Sequence, residues 1–377
     1  MTDTSQPAEK KASNALISPV VDFLLVGGLS FILIPPLLLF NIPGLNVVAV
    51  SIALAYVIND PHFMHSYQLM YEKFGQKLRN QKNNPLIYAR YIFAGIIVPA
   101  LFFTWFGFCV FTKNIQALAY SGNIMILTVG WHYAKQGYGM LIVLSALDKI
   151  YYDARTKNTL LVNSYLVWIC TWMLFNIRFD EMNIQNFPAK SFSISMPVFY
   201  AVSGMTVITT VLSILFLSLH AFQTRRVSIN GLTGYFSSYI WLFIRSSHII
   251  LNAVIPVFHS LQYLPFVWKY KFNESVHASG NYSKDYDAVE IIKDRAMKPF
   301  RNFILTGLGI GLIAFHIGPA LLDRMIPYDH AVFGTNLFLF MIIIFINVHH
   351  YFIDNVIWRK ENHTVGLYLF SGFRKSK

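Results

Sequence analysis

The stretch AVFGTNLFLFMIIIFINVHHYFIDNVIW, residues 331–358, decides the class of this chain. It holds no lysine, arginine or glutamate, and Asp354 is its single carboxylate. About 20 apolar residues in a helix cross the core of a bilayer, and this run is longer. Yet it ends on His349, His350 and Asp354. Ionisable groups at membrane depth are costly, so each marks a candidate functional site.

Similar runs fill the rest of the chain. Candidate spans are 17–40, 47–67, 86–112, 115–147, 160–177, 196–222, 235–268 and 303–322. Composition agrees. Of 377 residues, 55% are hydrophobic and 13% charged, about half the charge density of a soluble domain. The only cysteines, Cys109 and Cys170, lie in apolar runs and exclude a disulfide scaffold. A net charge of +12 would suit nucleic acid in a soluble protein. Here the basic residues lie between apolar runs, where they orient the chain and meet lipid headgroups. Membrane lipids, not nucleic acid, are the expected partners.

The basic stretches are 73–82, the loop after Leu147, 269–301 and the tail after Trp358. The positive-inside rule places these in the cytoplasm, with both termini, in a bacterial inner membrane. Both ends on one side require an even number of crossings, eight or ten. The 34-residue run 235–268 is the one expected to break, because Arg245, Ser246, Ser247 and His248 interrupt it. Residues 1–15 read as a disordered polar tail, 16–360 as one transmembrane domain with 269–301 as a cytoplasmic loop, and 361–377 as a basic tail. The expected fold is an all-α, polytopic integral membrane helical bundle around a buried histidine cluster.

Twelve histidines are present, and four places put them in or beside apolar runs. His62 and His65 follow Asp60-Pro61 and sit three apart, on one helical side. His132 stands about one turn before Gln136. His259, Gln262 and Tyr263 share a face. His350 and Asp354 are one turn apart, while His349 and His350 point about 100° apart, so one of the two faces the common centre. Neutral imidazole is the commonest metal ligand, and three or four with open positions suit iron, zinc or copper. Asp60, Gln136, Gln262 and Asp354 are placed to hold the ring N–H groups. His220, His248 and His316 read as packing residues, and His277, His330 and His363 as solvated ones. A histidine-box desaturase needs more histidines in tighter boxes. A b-type haem protein needs His pairs on facing helices. A transporter predicts inverted repeats, and no repeat is visible.

These motifs resemble the Brp/Blh-type β-carotene 15,15′-dioxygenases, integral membrane iron enzymes. The matching residues are Pro61-His62, His132-Tyr133, His259-Ser260 leading to Phe266-Val267-Trp268-Lys269, and His349 before Ile353-Asp354 and Arg359. The resemblance implies non-haem Fe(II), O2 and an apolar carotenoid, isoprenoid or lipid-like substrate. It implies His62, His132 and His259 as ligands and His349 as a site residue. Tyr263 stands where the family pattern has a second histidine, so His65, His349 or His350 is expected to complete the site. Tyr263 and Asp354 become the candidate catalytic groups, and a divergent relative is expected rather than a carotene cleaver.

Overall fold

The computed structural model describes residues 15–39, 46–179, 181–184, 187–245, 247, 250–279, 286–359 and 361–370. Helices begin where short polar side chains stand ahead of apolar runs. Helix α1 is Pro19–Leu39 and α2 is Val47–Tyr71. Asn46 caps α2 by accepting from the Ala49 amide at 3.0 Å. A short α3 (Phe74–Asn80) leads to α4, Pro85–Phe111. Asn84 caps α4 ahead of Pro85, whose missing N–H costs nothing at a first helical position. Asn114 caps α5 (Ile115–Leu147) and Asp153 caps α6 (Ala154–Arg178). Lys73, Lys113, Lys149 and Arg225 take left-handed backbone where helices turn.

A small antiparallel hairpin, β1 (Glu181–Ile184) with β2 (Phe187–Lys190), follows α6. Helix α7 is Met196–Thr224 and α8 is Ile229–Ile244. Helix α9 is Leu251–Ser279. Helix α10 runs through Tyr286–Leu312, Ile313–Ile317 and Gly318–Met325. A single turn α11 (His330–Phe333) precedes α12 (Leu337–Ile357) and α13 (His363–Phe370).

The chain is an all-α polytopic bundle. Among the described residues, seven helices (α1, α2, α4, α6, α7, the Asp294–Met325 part of α10, and α12) are long and apolar enough to cross a membrane. On α7 the residues Tyr200, Val207, Ile208 and Val211 are all exposed, an arrangement water penalises and lipid accepts. The core runs through Leu118, Leu141, Leu160, Trp241, Ile255, Phe340 and Ile344. A second cluster under α13 holds Met70, Val267, Ile353 and Leu369.

The run 235–268 does break. Helix α8 stops at Ile244 and α9 starts at Leu251, and Arg245 Nε donates to Asn252 across the break at 2.9 Å. The stretch 269–301, expected as a loop, is largely helical, because Tyr270, Lys271, Ser275 and Val276 of α9 are buried against neighbours. Residues 361–377 are not simply a tail, since Val365 and Leu369 of α13, one turn apart, are buried. The expected N-terminal tail lies, apart from Ala15, outside the described residues.

Among the described residues, four helices contain π-helical turns, at Leu24–Gly28, Ala55–Asn59, Phe93–Ile97 and Ile313–Ile317. Such turns loosen the backbone ladder and often mark functional regions. In two of them a carbonyl accepts from a polar side chain of another helix. Val26 O receives Gln262 Nε2 at 2.5 Å, and Ala94 O receives His349 Nε2 at 2.9 Å. Gly27 adopts φ +143, and a Cβ there would strike Ser237 of α8, so glycine is required for the approach.

Candidate metal centre

Three helices deliver the central donors. Helix α2 brings His62, α5 brings His132, and α12 brings His350 and Asp354. One ligand atom from each of the four lies within 4.8 Å of all the others, and all four residues are buried. His62 Nε2 and His350 Nε2 are 2.8 Å apart. Asp354 Oδ2 is 3.4 Å from His350 Nε2 and 4.0 Å from His132 Nε2. Ligands about 2.1 Å from one ion stand about 3 Å apart in neighbouring positions and about 4 Å apart when opposite. The observed spacings have this size.

The hydrogen bonding of these rings is incomplete, as it also is at His65 Nε2 and His220 Nε2, and here the open nitrogens gather beside one carboxylate. Buried polar atoms nearly always have partners. Here His62 Nδ1, His132 Nε2 and His350 Nδ1 are buried without one. His259 is beside them, its ring 5.0 Å from that of His132 and 5.2 Å from that of His62. Both of its nitrogens are buried and unpartnered. It is outside the tight group of four. A concentration of orphaned imidazole nitrogens beside a carboxylate fits a cation better than it fits a core.

Asp354 is held from behind. Its Oδ1 accepts from Ser66 Oγ at 2.7 Å and from the Tyr263 hydroxyl at 3.0 Å. Trp358 Nε1 donates to that hydroxyl at 3.1 Å, and the Tyr263 ring stacks on His62 with centroids 4.5 Å apart. Tyr263 therefore spends its proton on Asp354 and turns Oδ2 toward the imidazoles. It acts here as a positioning residue. Tyr351 stacks on His132 at 4.4 Å and Tyr133 on His259 at 3.9 Å. Ser66, Tyr351 and Trp358 were not singled out from sequence, although Ser66 is one turn from His62 and Trp358 one turn from Asp354, spacings that placed both within reach.

Other expected residues go elsewhere. His65 Nδ1 meets Gln68 Oε1 at 3.0 Å, and its ring stacks on Phe303 of α10. Three residues along a helix leave about 60° of rotation, and α2 is wedged so that His62 faces α12 while His65 faces α10. His349 points away from the group, with Nδ1 2.8 Å from the Tyr67 hydroxyl and Nε2 2.9 Å from Ala94 O. Asp60 pairs with His316 at 2.8 Å, not with a central imidazole. Gln136 Nε2 reaches His259 O and Gln262 Oε1, both at 3.3 Å. Gln262 donates to Val26 O and to Ser237 Oγ. The two glutamines tie helices together rather than hold ring N–H groups.

Comparison with models of protein families, with curated proteins and with solved structures gave no match. What stands is a membrane-type helical bundle with a buried His/Asp group able to hold a metal ion.

Proposed function

We propose that the protein is a membrane-embedded, metal-dependent oxygenase using non-haem iron on an apolar substrate. The carrying observation is the donor set of His62, His132, His350 and Asp354, buried with ring nitrogens lacking any partner. Histidines with a single carboxylate and positions left open are the ligand type of non-haem Fe(II) oxygenases. Bound iron would supply O2 activation. The chain's own work is to orient and exclude water. Ser66 and Tyr263 fix Asp354. Tyr351 and Tyr133 pin the His132 and His259 rings by stacking. The surrounding apolar helices keep bulk water out. His259 is proposed as an additional or exchangeable donor. Kinship with the Brp/Blh-type dioxygenases, an inner-membrane location with both termini in the cytoplasm, and a carotenoid, isoprenoid or lipid-like substrate belong to the same proposal. They rest on the sequence motifs and the charge distribution.

The test is metal analysis of protein purified without chelators and reconstituted anaerobically with Fe(II). About one non-haem iron per chain is expected. Protein that stays iron-free after reconstitution would falsify the proposal, and a Soret band would replace it with a haem reading.

A further inference from the structure

Three cations converge at the rim of the bundle where α4 begins and α12 ends. Arg90 stands near the start of α4, Lys135 on α5, and Arg359 just past α12. Lys135 Nζ at 2.9 Å and Arg359 Nη2 at 3.2 Å donate to the same oxygen, Asn355 Oδ1. Arg90 repels both of them, and its Nη1 is buried with no hydrogen-bond partner. Burial and the Arg90 charge hold the Arg359 guanidinium below its ordinary value. Among the described residues, no carboxylate forms an ion pair with any of the three. Glu361 attracts Arg359 only from farther away. Holding like charges together costs energy unless an anion offsets it.

An apolar strip adjoins this cluster. The Lys135 ammonium is 5.6 Å from the Trp131 ring centre. Trp131 packs against Phe352 at 5.9 Å, and Phe352 against Phe93 at 5.7 Å. Phe93 is 43% exposed and lies one turn from Arg90 on the same side of α4. Leu86, 60% exposed, lies one turn before Arg90 on that side. Charge at the rim thus runs directly into an aromatic surface that faces lipid.

We propose that Arg90, Lys135 and Arg359 bind the phosphate or carboxylate headgroup of a membrane amphiphile, with its acyl chain along Trp131, Phe352 and Phe93. Arg90 brings an unpartnered Nη1, Arg359 adds its charge while its Nε and Nη2 donate to Asn355, and the lysine adds a point charge. Lys135 is one turn beyond His132 and Asn355 follows Asp354, so the site shares helices with the histidine group. It does not depend on a metal there.

Native mass spectrometry of the detergent-purified full chain tests the site. The probes are phosphatidic acid, phosphatidylcholine with the same chains, oleate and inorganic phosphate. One equivalent of phosphatidic acid is expected to stay bound where phosphatidylcholine does not. The double variant Arg90→Gln/Lys135→Gln should bind it about a hundredfold more weakly, at roughly tenfold per lost charged hydrogen bond. Lys113→Gln, at the other end of α4, should leave binding unchanged. Arg359→Gln removes one of the three charges, and its intermediate weakening keeps the test decisive if the double variant does not fold. Displacement by oleate and not by phosphate supports a lipid headgroup. Displacement by inorganic phosphate at the same concentration assigns the site to the free anion and overturns the lipid part. Equal retention of phosphatidylcholine, or undiminished binding by a folded double variant, overturns the site itself.

Discussion

On α12 two adjacent histidines meet opposite surroundings. His349 gives each ring nitrogen a partner: Nδ1 accepts from the Tyr67 hydroxyl, and Nε2–H donates to Ala94 O. One tautomer satisfies the whole arrangement. One residue later, His350 has its Nδ1 buried with no partner and its Nε2 set against His62 Nε2 and Asp354 Oδ2. No choice of tautomer pairs every nitrogen of the rings gathered there. Burial alone does not distinguish the two residues, since both are nearly inaccessible. Saturation of hydrogen bonds does, and it marks one as packing and the other as a candidate ligand.

The strongest way to break this contrast is to truncate each ring and count metal. His350→Ala and His132→Ala should each leave less than about a tenth of the wild-type metal, because a lost first ligand removes most of the affinity. His349→Ala should keep a full complement. Elemental analysis decides it, and the reverse pattern would invert the assignment. A smaller effect is expected one step behind the ligands. Tyr263→Phe removes the proton donated to Asp354 Oδ1 and should weaken metal binding about 10- to 100-fold, read by competition with a chelator. Loss of metal equal to that of His350→Ala would mean that Tyr263 is itself a ligand.

Next comes the cost on the packing side. His349→Ala orphans the Tyr67 hydroxyl and Ala94 O and should lower stability by about 2 kcal/mol, seen as a lower thermal midpoint in detergent. An unchanged midpoint would remove the structural role given to His349. The smallest effect lies at the membrane edge. Burial raises the Glu72 carboxyl, but the bonded ammonium of Lys271 (2.6 Å) with Lys77 and Lys73 outweighs it, leaving Glu72 below its ordinary value. A depressed carboxyl contributes stability above its ordinary range, and this is lost as pH falls through the folded value. Wild type should exceed Glu72→Gln by about half a kcal/mol at neutral pH and converge with it near pH 3, because half-exposed pairs are screened. A gap that persists in acid would rule out this pair as its source.

The membrane class, the break near Arg245 and the gathering of His62 and His132 with one of the paired histidines of α12 were legible from hydropathy and spacing, whereas His259, expected as a ligand, stands outside the tight group. Which of His349 and His350 faces inward was not, because spacing gives only their 100° separation, and the rotation of α12 is set by packing. The same holds for His62 and His65, divided between α12 and α10. The π-helical turns were also invisible. The one at Ala55–Asn59 stands directly before Asp60 and His62 and alters the helical phase on which face assignments rest. Asp60 was assigned to a central imidazole, yet its partner His316 comes from 256 residues away, a pairing that no local pattern encodes. The short hairpin after α6 likewise lacked a usable alternation signal.

The donors of the histidine group are scattered from residue 62 to residue 354. Synthesis runs from the N-terminus, so α2 and α5 are made long before α12. Until α12 arrives, the nascent chain offers only two of the four donors, and Ser66 and Tyr263 have no carboxylate to hold. A competing ion has little to bind during insertion. Completion of the donor group is thereby postponed to the closing event of biogenesis.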